Sequence, residues 1–329
     1  MIVVQTPLRI SLLGGGTDFE EFYQVQSGCV VSSAIDKYVY VIVKERYDDL
    51  IYVNYSKKEI VHSVAELQHE LVRESLSATG VDSGVEITML ADIPSEGSGL
   101  GSSSSILVGL LNALYVYKGT QVTAEQLARD AAEIEIHRCK KPIGKQDHYI
   151  AAFGGVCTLV FRESGVVEVD RHDLSDKDRR SLGENLLLFF TGITRKSSDI
   201  LTEQKANSGQ RRDELDEIRS LAIEAQRAIM GKRYDDLGYL LHKNWELKKK
   251  LATQITTSQI DEMYERACEA GALGGKIAGA GGGGFLLLYC PQEKQNAVRR
   301  ALEGYREMPF LLEADGSKVI FNYRRYGWR

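Results

Sequence analysis

Three glycine clusters, each accompanied by hydroxyl or acidic residues, carry the chemistry available to this 329-residue sequence. The sharpest runs Pro94-Ser95-Glu96-Gly97-Ser98-Gly99-Leu100-Gly101-Ser102-Ser103-Ser104-Ser105, between a strand expected to end near Ala91 and a helix expected to begin near Ser102. Glycines let several backbone N–H groups turn into one concavity, and the following helix adds its positive N-terminal end. That geometry cradles phosphate. A hydroxyl of the first helical turn, Ser102 or Ser103, can complete the coordination of a magnesium ion bridging nucleotide phosphates. The same letters also describe a serine N-cap beside a flexible turn. Two rival motifs fail: no lysine follows Gly101 as GxxxxGK[ST] requires, and Gly97-x-Gly99 leads to Ser102 where GxGxxG needs glycine.

A second group lies in the stretch from Glu133 to Asp147. Asp147, just past the Gly144 turn, can accept a proton from an attacking hydroxyl or orient it, and Glu135 can join a serine in holding magnesium. Lys145, two residues before Asp147, is a candidate to lower that carboxyl's pKa and to contact a phosphate. Taken alone, acids of this kind more often serve as helix caps or solvated surface groups. Near the amino terminus, Arg9 precedes a Gly14-Gly15-Gly16-Thr17-Asp18 turn where a polyol can dock, with Asp18 accepting from adjacent hydroxyls and Arg9 neutralising charge. Near the carboxyl end, Gly279-Ala280-Gly281-Gly282-Gly283-Gly284 holds five glycines in six positions, which implies backbone approaching a ligand or another loop.

The elements that must position these groups are legible from periodicity. Segments 2–5, 10–13, 30–34, 39–45, 51–54 and 85–91 predict strands, 102–117 and 124–137 helices, and 156–161 and 186–191 strands again. Residues 199–270 contain helix formers and no proline, so this block is expected to be helical. The tail reads as strand at 277–278 and 285–289, helix at 292–302 and strand at 319–324. Two α+β halves follow, residues 1–180 and 181–329, with the junction between about Arg171 and Asn185.

Composition excludes several classes. With 43% hydrophobic and 26% charged residues the chain can build a real core, and a net charge of −5 supplies no basic field for nucleic acid. Five scattered cysteines without a CxxC pair, and six histidines without metal-ligand spacing, point to a reduced compartment and no caged zinc. Pro7 and Arg9 interrupt the apolar start before a signal core builds up, and no stretch reaches the roughly 20 apolar residues of a membrane span. The expectation is a cytoplasmic protein without a membrane partner.

In this order, the three clusters resemble the three motifs of the GHMP kinases. The stretch from Pro94 to Ser104 looks like the PxxxGLGSS phosphate loop of that family, so the resemblance implies that Pro94, Gly97, Ser98, Gly99, Leu100, Gly101, Ser102, Ser103 and Ser104 bind ATP. By motif position it implies Ser103 and Glu135 as Mg2+ ligands and Asp147 as the catalytic aspartate, with Lys145 and Arg9 beside it. Galactokinases carry Gly-Glu-His-Thr-Asp where this chain has Gly14 to Asp18, which argues against galactose. The pattern PLRISLLGGGTDF, the IGKQD segment and the stretch Thr191 to Ser198 look more like the bacterial D-glycero-D-manno-heptose 7-phosphate kinases, which phosphorylate the anomeric hydroxyl.

The family fold implies an N-terminal domain with a left-handed β-α-β unit and a C-terminal ferredoxin-like α+β domain. A sugar phosphate acceptor is expected to meet Gly15, Gly16, Thr17, Asp18, Arg195, Gly281 and Gly282, with Arg195 and Lys196 as candidate phosphate readers. Three alternatives stay open: a fucose-, galactose- or mevalonate-type kinase, a non-catalytic nucleotide or sugar-phosphate regulator, and an interaction protein using the helical block. The oligomeric state is open, a homodimer being the assembly considered.

Overall fold

The computed structural model describes residues 1–94 and 97–323. Ser95 and Glu96 of the glycine-serine loop, and Arg324 at the expected end of the last strand, therefore lie outside the described residues. The strands are β1 (Ile2–Leu13), β2 (Gly28–Glu45), β3 (Ile51–Asn54), β4 (Lys58–Val61), β5 (Val85–Ala91), β6 (Val156–Phe161), β7 (Val167–Arg171), β8 (Leu186–Phe190), β9 (Gly274–Ile277), β10 (Phe285–Tyr289) and β11 (Lys318–Asn322). The helices are α1 (Glu20–Tyr23), α2 (Glu70–Thr79), α3 (Ser102–Lys118), α4 (Ala124–Ala132), α5 (Gln146–Phe153), α6 (Asp176–Gly183), α7 (Ser197–Asn207), α8 (Arg212–Met230), α9 (Tyr234–Lys248), α10 (Ser258–Glu269) and α11 (Gln292–Ala301).

The strands form an eight-stranded sheet in the order β11-β1-β2-β5-β3-β4, with β6 and β7 joined through β2, and a three-stranded sheet β8-β10-β9. Pairing is antiparallel except between β3 and β5, which run parallel and are connected through β4 and α2. The expected breaks inside the first two strands do not occur. β1 runs through Pro7, which faces Tyr38, while its neighbour Leu8 faces Ile35, so Asp36 and Lys37 bulge out of β2. Proline has no N–H to give a ladder, and a bulge at that point lets both strands continue.

The division at residue 180 needs one correction. β8 opens the second sheet, yet β11 returns to the first and pairs with β1, Ile2 opposite Asn322. Periodicity identifies a strand but says nothing about its partner. One core also joins the two sheets: Leu8, Ile10 and Leu12 of β1 are buried with Ile218, Leu241 and Trp245 of the helical block and Leu286 and Leu288 of β10.

Helix α3, which begins at the glycine-serine loop, packs on β1 and β2 through Gly109, where an added Cβ would meet Thr6 Oγ1 at 2.7 Å and Val41 Cγ2 at 3.3 Å. Helix α4 runs without a break into a π-helix, Glu133–Arg138, that carries Glu135. Wide turns of this kind are frequent at functional positions.

The Gly109 contact is testable. Gly109→Ala is expected to lower the unfolding free energy by about 1–3 kcal/mol through overpacking against Thr6. Combining it with Thr6→Ala should recover most of that loss in a double-mutant cycle read by denaturant unfolding; strict additivity would refute the close packing of α3 on β1.

Candidate active site

The phosphate-loop backbone is set by three left-handed glycines, Gly97, Gly99 and Gly101, with φ of 73°, 73° and 77°. Gly101 is the N-cap of α3, so the helix begins directly beneath the loop. A Cβ on Gly99 would stand 2.3 Å from the Ala278 carbonyl oxygen, and one on Gly279 would stand 2.7 Å from Gly99 Cα. The carboxyl-terminal glycine run thus lies against the phosphate loop, which side chains on either loop would prevent. One cavity is lined by Gly97, Ser98, Gly99, Gly101, Ser102, Ser103 and Ser104, facing Ala278 to Gly281.

On the wall of this cavity, Ser103 Oγ donates to Glu135 Oε1 and Ser104 Oγ donates to Glu135 Oε2 at 2.8 Å. The fully buried His148 ring places Nε2 2.8 Å from Glu135 Oε2. Burial acts to raise the Glu135 carboxyl, but the hydrogen bond and charge of His148, then the Ser103 and Ser104 hydroxyls, outweigh it and hold the group below its ordinary value. The carboxylate is thereby ready to ligate. Ser103 and Glu135 present hard oxygens of the kind Mg2+ takes, leaving its remaining positions to phosphate and water. Among the described residues no cluster of His, Cys, Asp or Glu could cage a metal by itself.

Asp147, in the first turn of α5, meets Arg9 of β1 through two parallel bonds, Nε to Oδ1 at 2.7 Å and Nη2 to Oδ2 at 2.6 Å. Arg9 Nη1 donates to the Gly99 carbonyl at 2.6 Å, tying the pair to the phosphate loop. A Cβ on Gly101 would stand 3.2 Å from Asp147 Oδ2, so the loop glycine lets the carboxylate approach. The pair is part of the lining of the phosphate-side cavity and of a second cavity formed by Ser11, Gly15, Gly16, Asp18, Gly144, Gln146, Gln204 and Lys248. It is the wall between them.

On the far side, Asp18 accepts from Gly16 N at 3.0 Å, Gln146 N at 3.3 Å and Gln146 Nε2 at 3.1 Å. Burial and then the Asp147 charge push its pKa up, against these N–H donors. A Cβ on Gly144 would lie 2.0 Å from Asp18 Oδ2. The Pro142-x-Gly144 turn exists to admit this carboxyl.

Several sequence expectations shift. Lys145 points away from Asp147: its Nζ donates to the Gly165 carbonyl at 3.3 Å, lies 3.8 Å from Glu20 Oε1 and sits over the Tyr23 ring. Residues two apart at a helix start leave on different faces, so Arg9 and not Lys145 is the cation on Asp147. The Leu100 side chain is fully buried in the core, so this residue contributes backbone alone, its carbonyl accepting from Arg9 N at 3.0 Å. Pro94 lines a separate apolar cavity with Phe190, Phe285 and Met308. Thr17 turns inward, donating to the Gly14 and Cys29 carbonyls, and caps the turn instead of lining the site. Arg195 lines the phosphate-side cavity and donates to Gln254 at 3.1 Å, while Gly281 also faces that side. Gly282 packs under it, its N–H bonded to the Ile255 carbonyl at 2.7 Å.

Sequence reasoning missed Ser11, Gln146, His148 and Lys248, and gave Ser104 a part in nucleotide binding without its bond to Glu135. A histidine one residue after a candidate aspartate was a readable signal; Lys248, at the end of a charged helix, carried none.

Residues 54–155 match the family model described as the GHMP kinases N terminal domain, and residues 221–306 match the GHMP kinases C terminal model. The D-glycero-alpha-D-manno-heptose 7-phosphate kinase of Campylobacter jejuni is 29% identical over 92% of this chain and 94% of its own length. The L-fucokinase/L-fucose-1-P guanylyltransferase of Bacteroides fragilis is 28% identical over 90% of this chain, which spans 35% of that relative. Among solved structures, a D-glycero-D-manno-heptose 1-phosphate kinase from Bacteroides thetaiotaomicron superposes with a TM-score of 0.83 at 24% identity, covering 98% of this chain and 100% of that one.

Removing the His148 ring should loosen Glu135. His148→Ala is expected to raise the Mg2+ concentration giving half-maximal ADP release by about 10-fold or more, the usual effect of losing the group that orients a metal-binding residue. An unchanged magnesium requirement would show that Glu135 does not need this support.

Proposed function

The chain belongs to the GHMP kinases and is an ATP-dependent small-molecule kinase, and we propose that its acceptor is the anomeric hydroxyl of D-glycero-D-manno-heptose 7-phosphate, giving the 1,7-bisphosphate. The observation that carries the chemistry is the Arg9–Asp147 pair standing between a phosphate cradle and a polar pocket. The likeness to a heptose 7-phosphate kinase along nearly the full length of both chains supports the choice of sugar.

In this reading the ATP phosphates rest on the N–H groups from Gly97 to Ser103 and the N-terminal end of α3. Magnesium on Ser103 and Glu135 supplies charge neutralisation at the phosphates when bound. The residues of the chain do the rest. Each Asp147 oxygen takes one Arg9 N–H and keeps a lone pair, which accepts the acceptor hydroxyl and later its proton. Arg9, locked by Asp147 and the Gly99 carbonyl, holds positive charge beside the transferring phosphoryl without having to reorganise. Asp18 and Gln146 orient sugar hydroxyls.

A fucose-type acceptor is the second reading, supported by the fucokinase relative. Coupled ADP release separates the two when measured with heptose 7-phosphate, sedoheptulose 7-phosphate, mannose, fucose and galactose. Heptose 7-phosphate is expected to give the highest kcat/KM, and a higher value for fucose would reject the assignment. Asp147→Asn should cut kcat by at least about 100-fold while leaving the KM for ATP within about threefold, because transfer depends on positioning. Near-normal turnover in that variant would remove Asp147 from the reaction.

A further inference from the structure

Buried charge on the acceptor side does not balance. Lys248, the last residue of α9, is 3% exposed, lines the acceptor cavity and donates from Nζ to the Gly279 carbonyl. Lys276 on β9 is 1% exposed and donates to the Leu12 carbonyl at 3.2 Å. Asp147 is already taken by Arg9, and Asp18 faces N–H groups of Gly16 and Gln146. Among the described residues neither lysine has a carboxylate within ion-pair distance; each ammonium's hydrogen bond is to its carbonyl. An ammonium buried without a counter-ion is costly unless a ligand supplies one.

Two further atoms await a ligand. Ser11 Oγ and Gln146 Oε1 are buried without any hydrogen-bond partner, and both residues line the same cavity. Buried polar atoms are normally satisfied, so a polar occupant is expected.

We propose that Lys248 receives an anionic group carried by the acceptor, so that the pocket selects a phosphorylated sugar over its unphosphorylated counterpart. This rests on the reading of the chain as a sugar kinase. Lys276 is held on the Leu12 carbonyl and is not part of the cavity lining. Arg195 serves the other cavity and is bonded to Gln254. A neutral hydroxyl at Lys248 would leave the cation uncompensated, whereas a phosphate or carboxylate compensates it.

The pH behaviour follows from the groups facing this amine: Arg9 on β1, Asp18 in the glycine turn and Lys276 on β9. Burial, then the Arg9 cation, push the free Lys248 down to about 8, with Asp18 acting the other way. A bound anion favours the charged form. Binding therefore takes up a proton at and above pH 8, and affinity falls as pH rises further, while the phosphate's own second ionisation lies lower, near about 6.

The test compares full-length wild type, Lys248→Met and Lys248→Arg in coupled ADP release with D-glycero-D-manno-heptose 7-phosphate and with unphosphorylated D-glycero-D-manno-heptose. Lys248→Met should shrink the ratio of the two kcat/KM values by roughly 10-fold or more, the scale of one charged hydrogen bond. Any loss on the unphosphorylated heptose should be the smaller of the two, and Lys248→Arg should keep most of the ratio. Calorimetric binding of heptose 7-phosphate to wild type at pH 8, in two buffers of different ionisation enthalpy, should show net proton uptake. That measurement needs no variant, so a misfolded Lys248→Met does not shelter the idea. Equal losses on both sugars, or no proton uptake, would overturn it. If wild type turns over neither heptose, the heptose assignment fails by itself; the same ratio for mannose 6-phosphate against mannose then decides Lys248.

Discussion

The guanidinium of Arg9 and the carboxylate of Asp147 meet through two parallel N–H···O bonds, in a pair whose side chains are 6% and 18% exposed. Fork-to-fork contacts of this type fix direction as well as distance. Everything else in the site is arranged about that contact. Arg9 comes from β1 and Asp147 from the start of α5, 138 positions apart, so the pair exists only when the large sheet and α5 are both in place. Its third bond, to the Gly99 carbonyl, makes the phosphate loop part of the same rigid unit.

Glycine is required wherever backbone must come within a bond length or two of this unit. The clearest cases are Gly99 against Ala278 and Gly144 against Asp18, where a methyl group would collide at 2.3 and 2.0 Å. The three glycine clusters are thus one physical feature seen at three places in the chain: loops from distant segments packed backbone to backbone around two adjoining cavities. Dense glycine in sequence signals such close approach without naming the partner. For the carboxyl-terminal run the partner is the phosphate loop itself.

This separates what was legible in the sequence from what was not. Clusters, helices and most strands follow from local composition and period, whereas Ser103, Glu135 and Asp147 as a set are what the resemblance to the family's motif order implies. Contacts decided by side-chain direction are different. Lys145 is two residues from Asp147 yet packs on Tyr23, while Arg9 from another element supplies the cation. His148 stands one residue after Asp147, a visible position, but its contact with Glu135 depends on the π-helix that carries that carboxylate. Lys248 sits among other charges of α9, and only its 3% exposure sets it apart from its solvated neighbours. Burial of that kind depends on how the helical block covers β1, which no local pattern reports.

A chain of net charge −5 must still hold nucleotide phosphates close to an acceptor that, as proposed, is itself anionic. Like charges brought together in a partly buried site repel strongly, so the field in the site has to differ from that of the whole molecule. The distribution of side chains does this in layers. Backbone N–H groups and the α3 terminus face the nucleotide side, and Arg9 stands between the cavities. Lys248 and Lys276 lie beyond it, with Asp18 as the nearest carboxyl not already held by a guanidinium. With the cavity empty that excess of cations has no matching anion, and burial accordingly lowers both lysines from their ordinary values. An anion in the cavity favours the charged form of Lys248, so the acceptor's own charge offsets the excess of buried cations.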